Sequence, residues 1–404
     1  MIVTYLNLTD FRNYQTAEVT LVAGPNLFVG RNGQGKTNLI ESLAYLSTLG
    51  SHRVAVDHAM IRQGVDRAII RARLEHGDRA ILAEVQLNRS LPNRAQINRS
   101  VIKLRELPRY FSSVLFAPED LALVRGDPSG RRRFLDELLV LRSPRLAAVM
   151  ADYDRVVRQR NILLKSARGS GGHGDQIATL DIWDERLVEL GSLLIEARTT
   201  LVAELAPEVA LAYTAVAGED HQAKLVNQLS ILADSDADPG ATPAALAKTD
   251  SALDTSVAET HGGITIISAA AAAVAFRDSL RRRRRSERER GITLVGPHRD
   301  DLLLQLNSLS ARGYASHGES WSFALALKLA SATLLRRDSS TGDPVLMLDD
   351  VFAELDEFRR ARLATAVQDF EQVLITAAVL GDVPATLTGN TVHIERGTIL
   401  PGAP

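Results

Sequence analysis

Gly30-Arg31-Asn32-Gly33-Gln34-Gly35-Lys36-Thr37 fits the phosphate-loop pattern G-x-x-x-x-G-K-[ST] throughout. Its flanks fit as well. Asn26-Leu27-Phe28-Val29 reads as a strand entering the loop, and Asn38-Leu39-Ile40-Glu41-Ser42-Leu43 as a helix leaving it. A glycine-rich turn that opens a helix presents backbone N–H groups and the positive helix end to a phosphate. In that geometry residues 30 to 37 cradle a nucleoside triphosphate, Lys36 reaches its β- and γ-phosphates, and the Thr37 hydroxyl is a Mg²⁺ ligand. The alternative is a chance glycine-rich turn, which the strand and helix flanks argue against.

The partner motif lies far downstream. Val345-Leu346-Met347-Leu348-Asp349-Asp350 is an apolar run ending in two acids, the form of a Walker B strand. Asp349 is the candidate metal holder, through water, and Asp350 the candidate group that orients or deprotonates the attacking water. Thr37 and Asp349 stand 312 residues apart, which predicts a large insertion between two halves of one nucleotide-binding domain. A buried strand followed by an acidic loop is the plain structural alternative.

Between them, Ser316-His317-Gly318-Glu319-Ser320 precedes an apolar helical stretch from Trp321 to Leu335. Alone, serine with an acid three residues on is a capping box. Placed between a distant phosphate loop and Walker B, Ser316, Gly318 and Glu319 match the signature of ABC-type ATPases, which faces ATP bound by a second subunit. Ala353-Glu354-Leu355-Asp356 then matches the D-loop of such interfaces.

Composition narrows the class. The 404 residues suffice for a large core and two lobes. The absence of cysteine excludes disulfides, thiolate metal sites and cysteine nucleophiles. Met1-Ile2-Val3-Thr4-Tyr5 lacks the form of a signal peptide. No uncharged apolar stretch reaches the roughly 18–20 residues that span a bilayer, so a cytoplasmic protein with no membrane partner is expected. With a net charge of −2, any nucleic-acid surface must be a local patch.

Patterning predicts three strands before residue 30 and a helix after the loop to about Leu49. A strand pair, Arg67 to Glu75 and Arg79 to Leu87, flanks Gly77-Asp78, and Ser113 to Phe116 is a further strand. From Ser129 to Tyr213 the leucines recur at helical spacing, broken at residues 169–174, which predicts an antiparallel helical arm with a glycine tip. Residues 234–263 read as a mobile loop and Ser268 to Arg290 as a helix. Strands are expected near Ile292 to Val295 and Leu302 to Leu306. The domains are therefore expected as head 1–125, arm 126–290 and head 291–404.

Several stretches go beyond the general ATPase motifs. They are Leu8 to Tyr14, Gly30 to Glu41, Leu115 to Leu121, Gly130 to Asp136, Gly296-Pro297-His298-Arg299-Asp300-Asp301 and Ala315 to Glu319. In these stretches the chain resembles the RecF family, bacterial DNA-repair ATPases related to SMC proteins and ABC-type heads. The resemblance implies an α/β fold: an ABC-type ATPase head split in sequence, with a helical arm inserted between the phosphate loop and the signature and Walker B. It implies ATP and Mg²⁺ as ligands and an ATP-dependent homodimer. It also implies single-stranded, gapped or junction DNA as substrate, and RecR and RecO as partners in loading recombinase at gaps during the SOS response.

Two departures from ABC-type heads stand out. The strand after Walker B, Val373-Leu374-Ile375-Thr376, ends in threonine where a histidine is usual, which makes Thr376 the candidate γ-phosphate sensor. No Q-loop glutamine is evident near Phe116-Ala117-Pro118-Glu119. Slow, DNA-stimulated hydrolysis is therefore expected. The alternatives are an ATP-gated DNA-binding scaffold without significant hydrolysis, and an SMC-like chromosome-structural ATPase, although the long coiled coil of the latter is missing. Arg281 to Arg285 reads either as a solvated, ion-paired helix or as a phosphate-backbone stripe. Arg131-Arg132-Arg133 reads either as bracing or as DNA contact, and His298 and Arg299 are expected to brace.

Overall fold

The computed structural model describes residues 1–169, 174–218, 221–233, 258–261 and 264–400. The expected glycine tip and most of the expected mobile loop at 234–263 lie outside them. The chain divides into two compact units. The first is Met1–Val124, Glu208–His221 and Ser316–Pro404; the second is Arg125–Pro207 and Gln222–Ala315.

The first unit holds two six-stranded sheets. One is antiparallel, in the order β2(Tyr14–Thr20)-β1(Ile2–Phe11)-β4(Arg67–His76)-β5(Arg79–Asn88)-β6(Arg94–Ile97)-β7(Ser100–Ile102). The β4–β5 hairpin closes through Gly77-Asp78, with His76 opposite Arg79; a two-residue turn of this type needs φ above zero, which glycine supplies at Gly77.

The other sheet includes β3(Gly24–Val29), β8(Ser113–Phe116), β14(Val345–Asp349), β15(Gln372–Ala377), β16(Asn390–Glu395) and β17(Thr398–Leu400), in the order β17-β16-β3-β15-β14-β8. Its pairs from β16 to β8 are all parallel. Every residue of β14 and β15 is buried, as expected of central parallel strands covered on both faces. Helix α1(Lys36–Thr48) packs its Leu39, Ile40 and Leu43 into the core with Val3, Leu6, Leu8 and Phe28.

The second unit is mainly helical. It contains α2(Leu121–Arg125) in part, α3(Pro128–Arg142), α4(Leu146–Gly169) and most of α5(Gly174–Ala217), together with α6(Ala269–Arg290). Its core gathers Tyr153, Val156, Leu187, Val188, Ile195, Phe276 and Leu280. Three strands, β13(Leu309–Ser310), β12(Asp301–Leu306) and β9(Ala223–Gln228), form a small antiparallel sheet in that order, and β10(Ala258–His261) pairs with β11(Ile264–Ile267).

The expected boundaries shift accordingly. Residues 291–315 were expected in the head, but β12 pairs with β9 along its whole length, which draws them into the second unit. The boundary inside α5 falls at Pro207. Ile292 to Val295 is not a strand, because side chains take its backbone donors: Thr293 N–H reaches Asn161 Oδ1 at 2.7 Å and Leu294 N–H reaches Glu287 Oε1 at 2.8 Å. Over Thr179–Ala217, α5 is long and apolar enough to be a candidate membrane span by composition. Glu204 and Glu208 interrupt any uncharged run there, and Leu187, Val188, Ile195, Leu201, Val202, Leu205 and Val209 are buried within the protein.

The arginine motifs of the second unit find acidic or carbonyl partners within that unit. Arg131 grips Asp301 through two hydrogen bonds of 2.7 and 2.8 Å, Arg132 donates to the Asp300 carbonyl and Arg133 pairs with Glu137. On α6, Arg281 pairs with Asp278, Arg284 with Asp181 and Arg285 with Glu289. His298 bonds Tyr153 at 2.8 Å and lies 3.3 Å from the Thr293 carbonyl, to which Arg299 also donates. Burial pushes the His298 imidazole down to about 4, so the ring is neutral near pH 7 and braces as a hydrogen-bonding group.

Arg160 is wholly buried and bonds Glu287 and Asp184 at 2.6 Å each and Thr293 Oγ1 at 2.9 Å. Arg160→Met strands the equally buried Glu287 and should cost about 3–5 kcal/mol. The double variant Arg160→Met/Glu287→Leu should recover a substantial part of that loss. Urea unfolding of both variants checks this, and a double variant no more stable than the single one would contradict it.

Candidate nucleotide site

The site forms where the parallel strands end. β3 runs into the phosphate loop, and Gly30 has no room for a side chain, because a Cβ there would collide with the Ile394 carbonyl. Gly35 is the N-cap of α1 at φ 116, a backbone region that favours glycine. A Cβ on Gly35 would lie 2.6 Å from the Tyr14 hydroxyl. The loop is braced from outside by Gln34, whose carbonyl accepts from Asn13 Nδ2 and Gly397 N at 3.1 Å each.

Lys36 is folded over the loop, its ammonium donating to the Gly30 carbonyl at 2.7 Å and the Arg31 carbonyl at 3.3 Å. Burial holds its pKa below the usual lysine value, against the opposing pull of Asp350 and Asp349. A cavity of about 310 Å³ opens here, lined by Asn32, Gly33, Gly35, Lys36, Thr37, Asn38, Arg53 and Asp350.

The two distant motifs meet directly. Thr37 Oγ1 donates to Asp349 Oδ1 at 3.0 Å, and Thr376 Oγ1 donates to the same oxygen at 2.6 Å. Burial raises the Asp349 carboxyl above the usual range, partly offset by those two hydroxyls. Asp350 sits in the left-handed region at φ 54, ψ 22, its N–H donating to Thr376 Oγ1 at 2.8 Å. Its Oδ1 is buried and lacks a hydrogen-bond partner among the described residues. Thr376, expected as a sensor, is wholly buried with its hydroxyl engaged by Asp349 and Asp350. That geometry ties the acid pair together and does not present the hydroxyl to a phosphate.

A hydroxyl and a carboxylate adjacent at the mouth of a phosphate loop fit the donor set of a hard divalent cation on a nucleotide. The orphaned Asp350 oxygen fits a bound water.

Ser316 is the N-cap of the helix α7(His317–Asp338) and forms a complete capping box: its Oγ accepts from Glu319 N at 3.3 Å, and its N–H donates to Glu319 Oε2 at 2.7 Å. Hydrogen bonds from Ser316 hold the Glu319 carboxyl below its usual pKa. His221 also reaches Glu319, at 2.8 Å. Ser316 is exposed, and neither it nor Gly318 nor Glu319 lines the phosphate-loop cavity.

The loop Ser51-His52-Arg53 carries no motif of its own in the sequence. In the structure Arg53 lines the cavity, and His52 Nε2 lies 3.9 Å from Asp349 Oδ2. Glu41, wholly buried, anchors that loop. Burial would raise its pKa, but hydrogen bonds from Arg12 and Ser51 hold it below the usual range. In the sequence Glu41 shows only as an acid in the helix after the phosphate loop, with Arg12 upstream.

Comparisons with known proteins agree with this architecture. The family model of the RecF/RecN/SMC N terminal domain matches residues 2–383. The chain is 63% identical over 404 residues to the DNA replication and repair protein RecF of Clavibacter michiganensis subsp. michiganensis, covering 99% of this chain and 96% of that relative. It is 49% identical over 403 residues to the protein of the same name from Streptomyces avermitilis, covering 99% of each. In fold it is similar to a solved structure of the recombination mediator protein RecF-ATPrS in the RecFOR pathway, with TM-score 0.82, 23% identity and coverage of 98% of this chain and 97% of that one. A more distant likeness is to an Smc head domain with a coiled coil and joint derived from Pyrococcus yayanosii, with TM-score 0.53, 12% identity and coverage of 98% and 96%. With its ABC-type head split in sequence around a helical insertion, the chain belongs to the RecF family of DNA replication and repair proteins.

Proposed function

We propose that this chain is an ATP-dependent DNA-binding protein of replication and recombinational repair. It binds single-stranded, gapped or junction DNA, dimerises on ATP and helps load recombinase at gaps with RecR and RecO in the cytoplasm. The observation that carries the ATP reading is the hydrogen bond between Thr37 and Asp349, which joins a phosphate loop and a Walker B acid across 312 residues. The DNA and partner readings rest on family membership.

Each residue then has a task. The backbone N–H groups of residues 33 to 36 cradle the β-phosphate at the start of α1. Lys36 exchanges its carbonyl partners, Gly30 and Arg31, for phosphate oxygens. Thr37 and Asp349 hold Mg²⁺, which neutralises phosphate charge when bound. Asp350 Oδ1 accepts a proton from water aligned with the γ-phosphorus. Thr376 fixes both acids as a positioning residue. Ser316 and the start of α7 meet the γ-phosphate of ATP held by a second copy.

A second reading has its own observation. Neither an ABC-type histidine nor a Q-loop glutamine is present, and Ala117–Asp120, at the expected Q-loop, closes on itself through Asp120 Oδ2 and Ala117 N–H at 2.8 Å. An ATP-gated scaffold that hardly hydrolyses would have this form. Measuring turnover with and without a gapped duplex separates the two: stimulation by DNA supports the ATPase, and no turnover under either condition supports the scaffold.

Lys36→Met should weaken ATP binding at least tenfold, since charge-assisted hydrogen bonds contribute roughly 1.5–3 kcal/mol each. Equilibrium binding of a fluorescent ATP analogue checks this, and wild-type affinity would remove the phosphate-loop assignment.

Ser316→Arg should bind ATP as a monomer yet fail to dimerise, because the guanidinium fills the place of the opposing γ-phosphate. Sedimentation with ATP decides it; ATP-dependent dimers of the variant would exclude the composite site.

Asp350→Asn should bind ATP and dimerise but lose turnover by about 10²–10⁴-fold, the range for losing a general base. Near-normal hydrolysis would place the base elsewhere, with Glu354 as the next candidate.

A further inference from the structure

His52 is half-buried beside the nucleotide site in a loop fixed on both sides. Ser51 Oγ donates to Glu41 and accepts from the N–H groups of Arg53 and Val54 at 3.0 and 3.2 Å. Glu41 is itself gripped by Arg12 through Nε at 2.7 Å. On the other side Arg53 Nη1 reaches Asn38 Oδ1 at 2.9 Å. The imidazole between these anchors is only 15% exposed, and neither ring nitrogen has a hydrogen-bond partner among the described residues. Enclosing two unpaired nitrogens is unfavourable. A ring kept in that state by so rigid a loop points to a partner from outside the chain.

The ring's direction identifies that partner. His52 Nε2 faces Asp349 Oδ2 at 3.9 Å, too far for a direct hydrogen bond and suited to one bridging water. Both threonine hydroxyls bind Oδ1, and among the described residues no hydrogen bond reaches Oδ2. A small divalent cation on a nucleotide keeps several waters in its octahedral shell, and carboxylates often hold it through them. We infer that His52 and Asp349 Oδ2 together hold one water of that cation's shell, which makes His52 a positioning residue for the metal of the nucleotide site. This rests on the Mg²⁺–ATP reading proposed above.

The test is binding of a fluorescent ATP analogue to the full chain, titrated with Mg²⁺ or Mn²⁺ and repeated in EDTA, with free Mn²⁺ followed by its paramagnetic resonance signal. His52→Ala should raise the metal concentration for half-maximal binding about tenfold, the lower end of the effect of removing an outer-shell partner. It should leave the affinity in EDTA unchanged, and His52→Gln, which keeps a donor, should recover most of the loss. If His52→Ala lowers the unfolding midpoint, His52→Leu carries the comparison, because it fills the volume without a donor. Wild-type metal dependence in the alanine or leucine variant overturns the inference, and so does an equal loss with and without metal, which marks a purely structural histidine. A wild-type chain that binds no nucleotide, or binds it equally in EDTA, overturns the Mg²⁺–ATP reading itself and the inference with it.

Discussion

Asp349 is 3% exposed at the end of a strand in which every residue is buried. A carboxylate in that position must be met by hydrogen bonds, since desolvation otherwise drives it to the neutral form. The two groups that meet it come from distant parts of the chain, Thr37 in the first turn of α1 and Thr376 near the end of β15. Each bond to a charged group is worth roughly 1.5–3 kcal/mol, enough to hold the strand ends level. The register shows this alignment: Thr376 lies opposite both Asp349 on β14 and Phe28 on β3. Because Thr376 also accepts the Asp350 N–H, one buried hydroxyl sets the direction of both acids. The left-handed backbone of Asp350, uncommon outside glycine, asparagine and aspartate, is held by the same bond.

The second unit meets buried charge differently. It uses the flat, five-donor fork of arginine, with Arg131 on Asp301, Arg198 on Asp136 and Arg160 on Glu287 and Asp184. An abundance of arginine there is therefore no evidence of a nucleic-acid surface. The run on α6 belongs to another class. Arg281 and Arg285 are exposed, and their pairs with Asp278 and Glu289 are surface contacts worth about 0–1 kcal/mol each. Such arginines exchange partners at little cost, whereas Arg160 and Arg198 cannot leave theirs without stranding a charge.

This contrast also explains what the sequence discloses. The phosphate loop, the Walker B strand and the capping box are local patterns, in which identity and spacing along a single element carry the chemistry. The β4–β5 hairpin is legible for the same reason, since its turn lies between its strands. The domain boundary is not, because the pairing of β9 with β12 joins residues that no local period connects. Ile292 to Val295 has the composition of a strand, yet Asn161 and Glu287 take its donors. α5 carries the hydropathy of a membrane span, yet Leu187, Val188, Ile195, Leu201, Val202, Leu205 and Val209 on it are core positions. His52 and Arg53 have no motif of their own, and only the fold gives them a place beside Asp349 and Asn38.

At the capping box of Ser316 a structural and a functional reading of one motif need not compete. A capping box satisfies donors at a helix start, and taken alone it calls for no ligand. Here it uses the Ser316 and Glu319 N–H groups, and Ser320 N–H returns to the Ser316 carbonyl. The N–H groups of His317 and Gly318 belong to the first turn, where a helix offers no internal acceptor. Glu319, with one oxygen on Ser316 N–H and the other met by His221, is held turned back on the cap, and the Ser316 hydroxyl accepts from Glu319 N–H and turns its own proton to the Glu319 carboxylate. Capping thus fixes the serine without exhausting the donors of the helix end. The same residues that stabilise the helix leave two backbone donors at an exposed, positive helix end, an arrangement that suits an anion.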